Sequence, residues 1–152
     1  MARQPNTNCS ECGKPIYRKP YFLKRTKTIA CDKCRPVVFK RIAHKEQRRR
    51  YEAYVKRWKD GHENGMKGKT STSAHIRRYL FEQSDSKCQQ CGWGEVNTFT
   101  GKVPLQINHI DGDFRNNKEG NLELICPNCH TLTENYGSRN RGRGRPGRKI
   151  GG

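Results

Sequence analysis

Leu105–His130 reads LQINHIDGDFRNNKEGNLELICPNCH, and this stretch decides the fold. Leu105–His109 reads as a strand, Asp111–Gly120 as a loop and Leu122–Ile125 as a second strand. Pro127 then falls in the first turn of a helix, where a residue without an N–H costs no hydrogen bond. That helix carries His130. Cys126 and Cys129 sit where the second strand passes into the helix. Cys88 and Cys91 form a matching pair, with 34 residues between Cys91 and Cys126. A Zn²⁺ held by the four sulfurs would tie helix to hairpin and close the whole module. Without such a staple, about 65 residues could not support a rigid site.

The composition of the whole chain points the same way. Of 152 residues 31% are hydrophobic and 30% charged, so no single large core is available and small stapled modules are expected. All eight cysteines fall into CxxC pairs: Cys9/Cys12, Cys31/Cys34, Cys88/Cys91 and Cys126/Cys129. That uniform spacing suits two tetrahedral Zn²⁺ sites better than a secreted disulfide framework. Thiolates held by zinc imply a reducing, cytoplasmic setting. The first ten residues, MARQPNTNCS, contain no apolar stretch, so no signal peptide is expected, and no later segment approaches a membrane span.

Charge is unevenly placed. Residues 1–70 carry 20 Lys and Arg against 6 Asp and Glu, residues 71–137 carry 6 against 8, and residues 138–152 carry 6 against none. Basic arms around a nearly neutral centre suggest a polyanion partner for the arms and a specialised task for the centre. A membrane surface fits less well, because no basic stretch is paired with a strong apolar face and a lipid anchor.

Working outward, residues 1–35 read as a zinc-ribbon DNA-binding module, with an 18-residue insert between Cys12 and Cys31. Gly13 suits the tight turn of a metal knuckle. Ile16–Tyr17 and Tyr21–Leu23 are expected as strands of a basic hairpin bearing Arg18, Lys19, Lys24, Arg25 and Lys27. Residues 36–60 follow as a long basic helix that Pro36 opens and Gly61 closes. Tyr51, Tyr54, Val55 and Trp58 form an apolar stripe at helical period, a packing seam, while Arg41, Lys45, Arg48 and Arg49 lie mostly off it and can meet phosphates. At 1.5 Å per residue, ~24 residues span ~36 Å, about one turn of duplex DNA.

Residues 61–72, GHENGMKGKTST, lack periodicity and are expected as a flexible linker. A short helix over Ala74–Gln83, with Ile76, Tyr79 and Leu80 on one face, opens the module of residues 73–137. Residues 138–152 are a basic, low-complexity tail expected to be disordered. Arg143 and Arg145 in its Arg-Gly-Arg-Pro segment are placed as in an AT-hook core, or serve as generic basic residues; both readings point to DNA.

His109, Asn121 and His130 follow in that order, with 11 and 8 residues between them, interleaved with the Cys88–Cys129 clip. This arrangement resembles the HNH endonucleases, which have the ββα-metal fold. The N-terminal CxxC module followed by a basic region resembles, less specifically, DNA-binding modules of phage-type HNH nucleases such as free-standing homing endonucleases. The fold class expected is therefore small α+β zinc-stapled modules: a ββα-metal nuclease domain, a zinc ribbon and a long basic helix.

The resemblance implies His109 as general base, His130 as a ligand of a catalytic divalent ion, and Asn121 as the residue that bonds across the loop to orient the base. It places Asn108 where relatives carry an acidic or His ligand; an amide oxygen can coordinate Mg²⁺ or Mn²⁺ but brings no charge. Zn²⁺ or Ni²⁺ are alternatives at this site, whereas four thiolates leave no open position, so the two cysteine-held zincs are structural. Asp111 and Asp113 are assigned a loop-shaping role.

Hydrolysis of a phosphodiester needs an activated water and a cation to offset charge on the departing oxygen. The function expected is a divalent-metal-dependent endonuclease acting on double-stranded DNA, by nicking or double-strand cleavage, in a bacterial or phage-infected cytosol. No small-molecule substrate and no membrane partner are expected, and the sequence leaves the oligomeric state open. The alternative is a non-catalytic zinc-containing DNA-binding regulator on the same scaffold. An RNA-directed role ranks lower, because the chain shows no aromatic platform for unstacked bases.

Overall fold

The computed structural model describes residues 3–140. Its element order is β1 (Thr7–Asn8), β2 (Pro15–Ile16), α1 (Pro20–Arg25), α2 (Arg35–Lys59), β3 (Met66–Lys67), β4 (Ser71–Thr72), α3 (Ala74–Gln83), β5 (Gln106–His109), β6 (Leu122–Ile125) and α4 (Pro127–Leu132). Contacts divide the chain into two compact units, and the division falls between Arg50 and Tyr51, inside α2. Among the described residues no helix is long and apolar enough to cross a membrane.

The first unit is organised by its cysteines. β1 and β2 pair antiparallel, Asn8 opposite Pro15, around the first knuckle. Gly13 turns there at φ +69° and its N–H donates to Cys9 O at 3.0 Å. The expected basic hairpin is corrected in part. Ile16 is in a strand, but its partner is Thr7, and Tyr21–Leu23 lie in helix α1. The reason is Pro20, whose fixed φ suits the first helical turn and which cannot donate to a sheet ladder. α2 grows out of the second knuckle, with Arg35 and Val38 N–H donating to Cys31 O and Cys34 O. Val38, Ala30, Cys9 and Cys31 form the small buried core, flanked by Ile16 and Cys34.

The second unit has a larger core, built from Tyr51, Trp58, Ile76, Tyr79, Leu80, Leu105, Leu122, Leu124 and Ile125 with Cys88 and Cys126. The stripe on the last turns of α2 is thus a packing seam, as its spacing predicts. Gly61, at φ +79°, ends the helix and donates to Trp58 O. Residues 61–72 are not an unstructured linker: β3 and β4 pair antiparallel there, and Gly65 is buried. Packing, rather than periodicity, orders this segment. α3 spans the expected residues, and the Ser73 hydroxyl caps it by accepting from His75 N–H at 3.2 Å.

β5 and β6 pair antiparallel with Gln106 opposite Ile125, Ile107 opposite Leu124, Asn108 opposite Glu123 and His109 opposite Leu122. α4 begins inside the last knuckle, with the Cys126 sulfur accepting from Cys129 N–H. The strand, loop, strand, helix order is the one the sequence predicts. Gly137–Asn140 continues as a 3-10 turn, Asn140 Nδ2 donating to Gly112 O at 2.7 Å, so residues 138–140 of the expected tail are ordered. Arg143 and Arg145 lie outside the described residues.

Candidate active site

Two sets of four sulfurs converge, Cys9/Cys12/Cys31/Cys34 and Cys88/Cys91/Cys126/Cys129, with all four ligand atoms within 4.8 Å of one another in each. Cys12 Sγ lies 3.8 Å from Cys31 Sγ, and Cys91 Sγ lies 3.8 Å from Cys126 Sγ. A disulfide would need about 2.05 Å. A tetrahedral ion with bonds of about 2.3 Å sets its sulfurs about 3.8 Å apart. Without a cation the cysteines divide in charge. Burial raises the Cys88 thiol, yet backbone N–H donors at Cys126, Cys91 and Gln90 bring it down to about 6. Cys129, facing Cys91, is pushed up to about 12. A divalent ion removes that opposition, since every sulfur can then be a thiolate. Both clusters can therefore hold a metal.

His109 is the last residue of β5 and only 8% exposed. Its Nε2 lies 3.1 Å from Asn117 Oδ1, an atom that only accepts. Nε2–H therefore donates, and in the neutral form of the ring the lone pair lies on Nδ1. Asn117 was not anticipated from the sequence. It is 3% exposed, its Oδ1 also accepts from Thr72 Oγ1, and its own carbonyl accepts from Trp58 Nε1 at 2.6 Å.

Asn121 bonds across the loop, to a different target from the imidazole ring. Its Oδ1 accepts from Asp111 N–H at 3.0 Å, and its Nδ2 donates to Asp111 Oδ1 and Asn116 O, each at 2.8 Å. Asp111 Oδ1 also accepts from Asp113 N–H and its Oδ2 from Asn116 Nδ2. Burial works to raise the Asp111 carboxyl. The donors at Asn116, Asn121 and Asp113, with charge at His109, outweigh it and hold the group below its ordinary value. Ile110 N–H donates to Asn121 O and Gly112 N–H to His109 O, both at 2.9 Å. The loop that follows His109 is thus locked from both sides.

Alternation along β5 sends Asn108 and His109 to opposite faces. Asn108 shares its face with Gln106 and with Glu123 across the ladder. Gln106 Oε1 lies 2.5 Å from His130 Nδ1, so α4 delivers His130 to that same face. Nδ1–H donates there, which leaves the ring's lone pair on Nε2. Asn108 Nδ2 donates to Glu123 Oε1 at 2.7 Å, which presents Oδ1 as its acceptor. An amide oxygen and an imidazole nitrogen are donor types that a divalent cation accepts. The structure brings Asn108 and His130 to one face of the hairpin and places His109 at its end on the other.

The family model for HNH endonucleases matches residues 88–135. Residues 88–135 are an HNH domain. A curated relative, the H-N-H endonuclease F-TflIV of Escherichia phage T5, is 32% identical over 93 residues, 59% of this chain and 40% of the relative. The chain thus spans 40% of the length of that relative, and the resemblance is of the phage type. No solved structure gives a significant match. The HNH domain contains His109, Asn121, His130 and the whole second cysteine cluster.

Of the basic residues expected to meet DNA, Lys19, Lys24, Arg25, Lys27, Lys45 and Arg48 are exposed. Arg18 is used inside its own unit, donating to Ala30 O at 2.6 Å and pairing with Asp32. Arg41 pairs with Glu11 at 2.6 Å and Arg49 with Glu46 at 2.9 Å.

Proposed function

We propose that the chain is a divalent-metal-dependent endonuclease that hydrolyses phosphodiester bonds of duplex DNA, with two structural Zn²⁺ ions in its cysteine clusters. The observation that carries this reading is the fixed imidazole of His109, inside the HNH domain, with Nε2 held by Asn117 and the loop behind it locked by Asn121 and Asp111. A neutral imidazole with a defined tautomer is suited to take a proton from water near pH 7.

In this reading His109 Nδ1 accepts the proton of the attacking water while Asn117 keeps the ring in place. Asn121 and Asp111 set the backbone that leaves the strand, and so fix where the imidazole stands relative to the substrate. Asn108 Oδ1 and His130 Nε2 would hold the cation, each with its other polar atom engaged by Glu123 or Gln106. When bound, that cation offsets the charge that grows on the departing oxygen. The phosphate must meet both faces at the end of β5, because the base and the ligand pair straddle it. Exposed lysines and arginines of the first unit supply non-specific attraction to the backbone.

The test is nicking of supercoiled plasmid with Mg²⁺ or Mn²⁺ and an EDTA control. Wild-type protein nicks only with the ion, and His109→Ala loses at least about 100-fold in rate while holding DNA with little change. Cleavage by His109→Ala at the wild-type rate overturns the assignment. Metal-independent binding without cleavage by the wild type would instead identify a DNA-binding regulator.

A further inference from the structure

Asn108 brings no charge of its own to the proposed cation site, but a carboxylate stands beside it. Glu123 stands directly opposite Asn108 in the β5–β6 ladder. Its Oε1 accepts from Asn108 Nδ2 at 2.7 Å, and Asn108 is only 7% exposed. Gln90 Nε2 spans both Glu123 oxygens, at 3.0 and 3.2 Å, from within the Cys88–Cys91 knuckle. The same knuckle is fastened to β6 by Gln89, whose N–H donates to Leu124 O and whose Oε1 accepts from Leu124 N–H. The carboxylate is therefore aimed at Asn108 from one side and clamped by the cysteine-bound turn from the other.

We propose that Glu123 is a positioning residue for the catalytic cation: it turns the Asn108 amide so that Oδ1 faces the ion, and lends it negative charge. The inference rests on the endonuclease reading above. Two physical effects combine. A carboxylate on the amide N–H fixes which end of Asn108 presents its acceptor, and a charged acceptor on Nδ2 draws the amide's electron density toward Oδ1, making it a better ligand. Partners of this outer kind orient ligands, and their loss costs roughly 10–100-fold in metal affinity. The neutral ligand and the acidic residue across the ladder thus act together as the charged ligand that Asn108 alone is not.

The test is a titration of Mn²⁺ into the full chain with zinc in its cysteine clusters, read by the loss of the free-ion paramagnetic signal. Glu123→Gln keeps an oxygen for Asn108 and removes only the charge. It is expected to bind Mn²⁺ roughly 10–100-fold more weakly with unchanged zinc content and thermal midpoint. The double variant N108D/E123Q keeps the hydrogen bond with donor and acceptor exchanged and moves the charge onto the ligand itself, so it is expected to recover affinity to within a few-fold, that is about 1 kcal/mol, of wild type. Unchanged Mn²⁺ affinity in Glu123→Gln, or no recovery in the double variant, overturns the inference. The double variant decides the matter even if Glu123→Gln folds poorly. If wild-type protein binds Mn²⁺ and nicks plasmid while these variants fail the expectation, only the role of Glu123 falls. If wild-type protein does neither, the endonuclease reading falls with it.

Discussion

Asn117 shows how much one buried amide can settle. Its Oδ1 receives His109 Nε2–H and Thr72 Oγ1–H, its Nδ2 donates to Arg115 O at 3.2 Å, and its carbonyl receives Trp58 Nε1–H. Truncation to alanine leaves a buried ring N–H and a half-buried hydroxyl without their acceptor, a loss of about 1–3 kcal/mol. Asn117→Ala is therefore expected to lower the thermal midpoint and, because the imidazole loses its aim, to lower kcat more than it raises KM. Calorimetry and single-turnover cleavage check both. Asn117→Asp tests the tautomer. A carboxylate opposite Nε2 favours the charged ring, and the proposed base acts in its neutral form, so the acid limb of the pH–rate profile should move to higher pH. An unchanged limb would mean that Asn117 does not govern the ring. His109 was legible in the sequence because the end of a strand beside a turn is easy to place. Asn117 was not, because the two neighbouring asparagines of Arg115–Lys118 look alike until the chain folds. Asn116 then turns to Asp111 and Asn117 to His109.

At the scale of elements, the ββα unit was readable from its own local signals: two short strands around apolar residues, a turn-rich loop between them, and proline at the start of a helix. The segments whose order the sequence does not reveal lack such signals. Strands of two residues, as in β1–β4, leave no period to detect, and their order comes from what they pack against. Gly65 marks the point. It sits at φ +73°, and a Cβ there would meet Ile76 Cδ1 at 2.5 Å and Asn117 Cβ at 2.7 Å. Composition alone marks 61–72 as loose, yet this glycine exists because the backbone runs against the core and beside the residue that holds His109. Gly65→Ala is expected to cost about 2 kcal/mol or more, from strain at positive φ together with overpacking. It should also disturb cleavage by displacing Asn117. A melting temperature equal to that of wild type would show that the hairpin does not pack as described. A matched control is Gly68→Ala, also at positive φ (+63°) but with open space around it, which should cost only the backbone strain.

For the whole molecule, the division of the chain matters more than its length. The sequence alone suggests a nuclease module that begins at residue 73, after a linker. The structure instead puts Tyr51, Trp58 and the β3–β4 hairpin into the same unit as α3 and β6. A fragment of residues 73–152 would discard two aromatic side chains whose burial is worth about 3–5 kcal/mol each, comparable to the whole stability of a small domain. It should fail to fold even with zinc, whereas residues 51–152 should fold and bind it. These fragments also separate chemistry from affinity. Residues 1–50 carry 15 Lys and Arg against 3 Asp and Glu, so they hold nearly half of the 32 cations that can displace counterions from DNA. The full chain should lose roughly 10³-fold or more in duplex affinity between 50 and 200 mM salt if about six phosphates are neutralised. The 51–152 fragment should nick at low salt, bind more weakly, and show a shallower slope of log affinity against log salt. Equal slopes for the two would mean that the first unit does not touch the phosphate backbone, and that its charge serves something other than holding DNA.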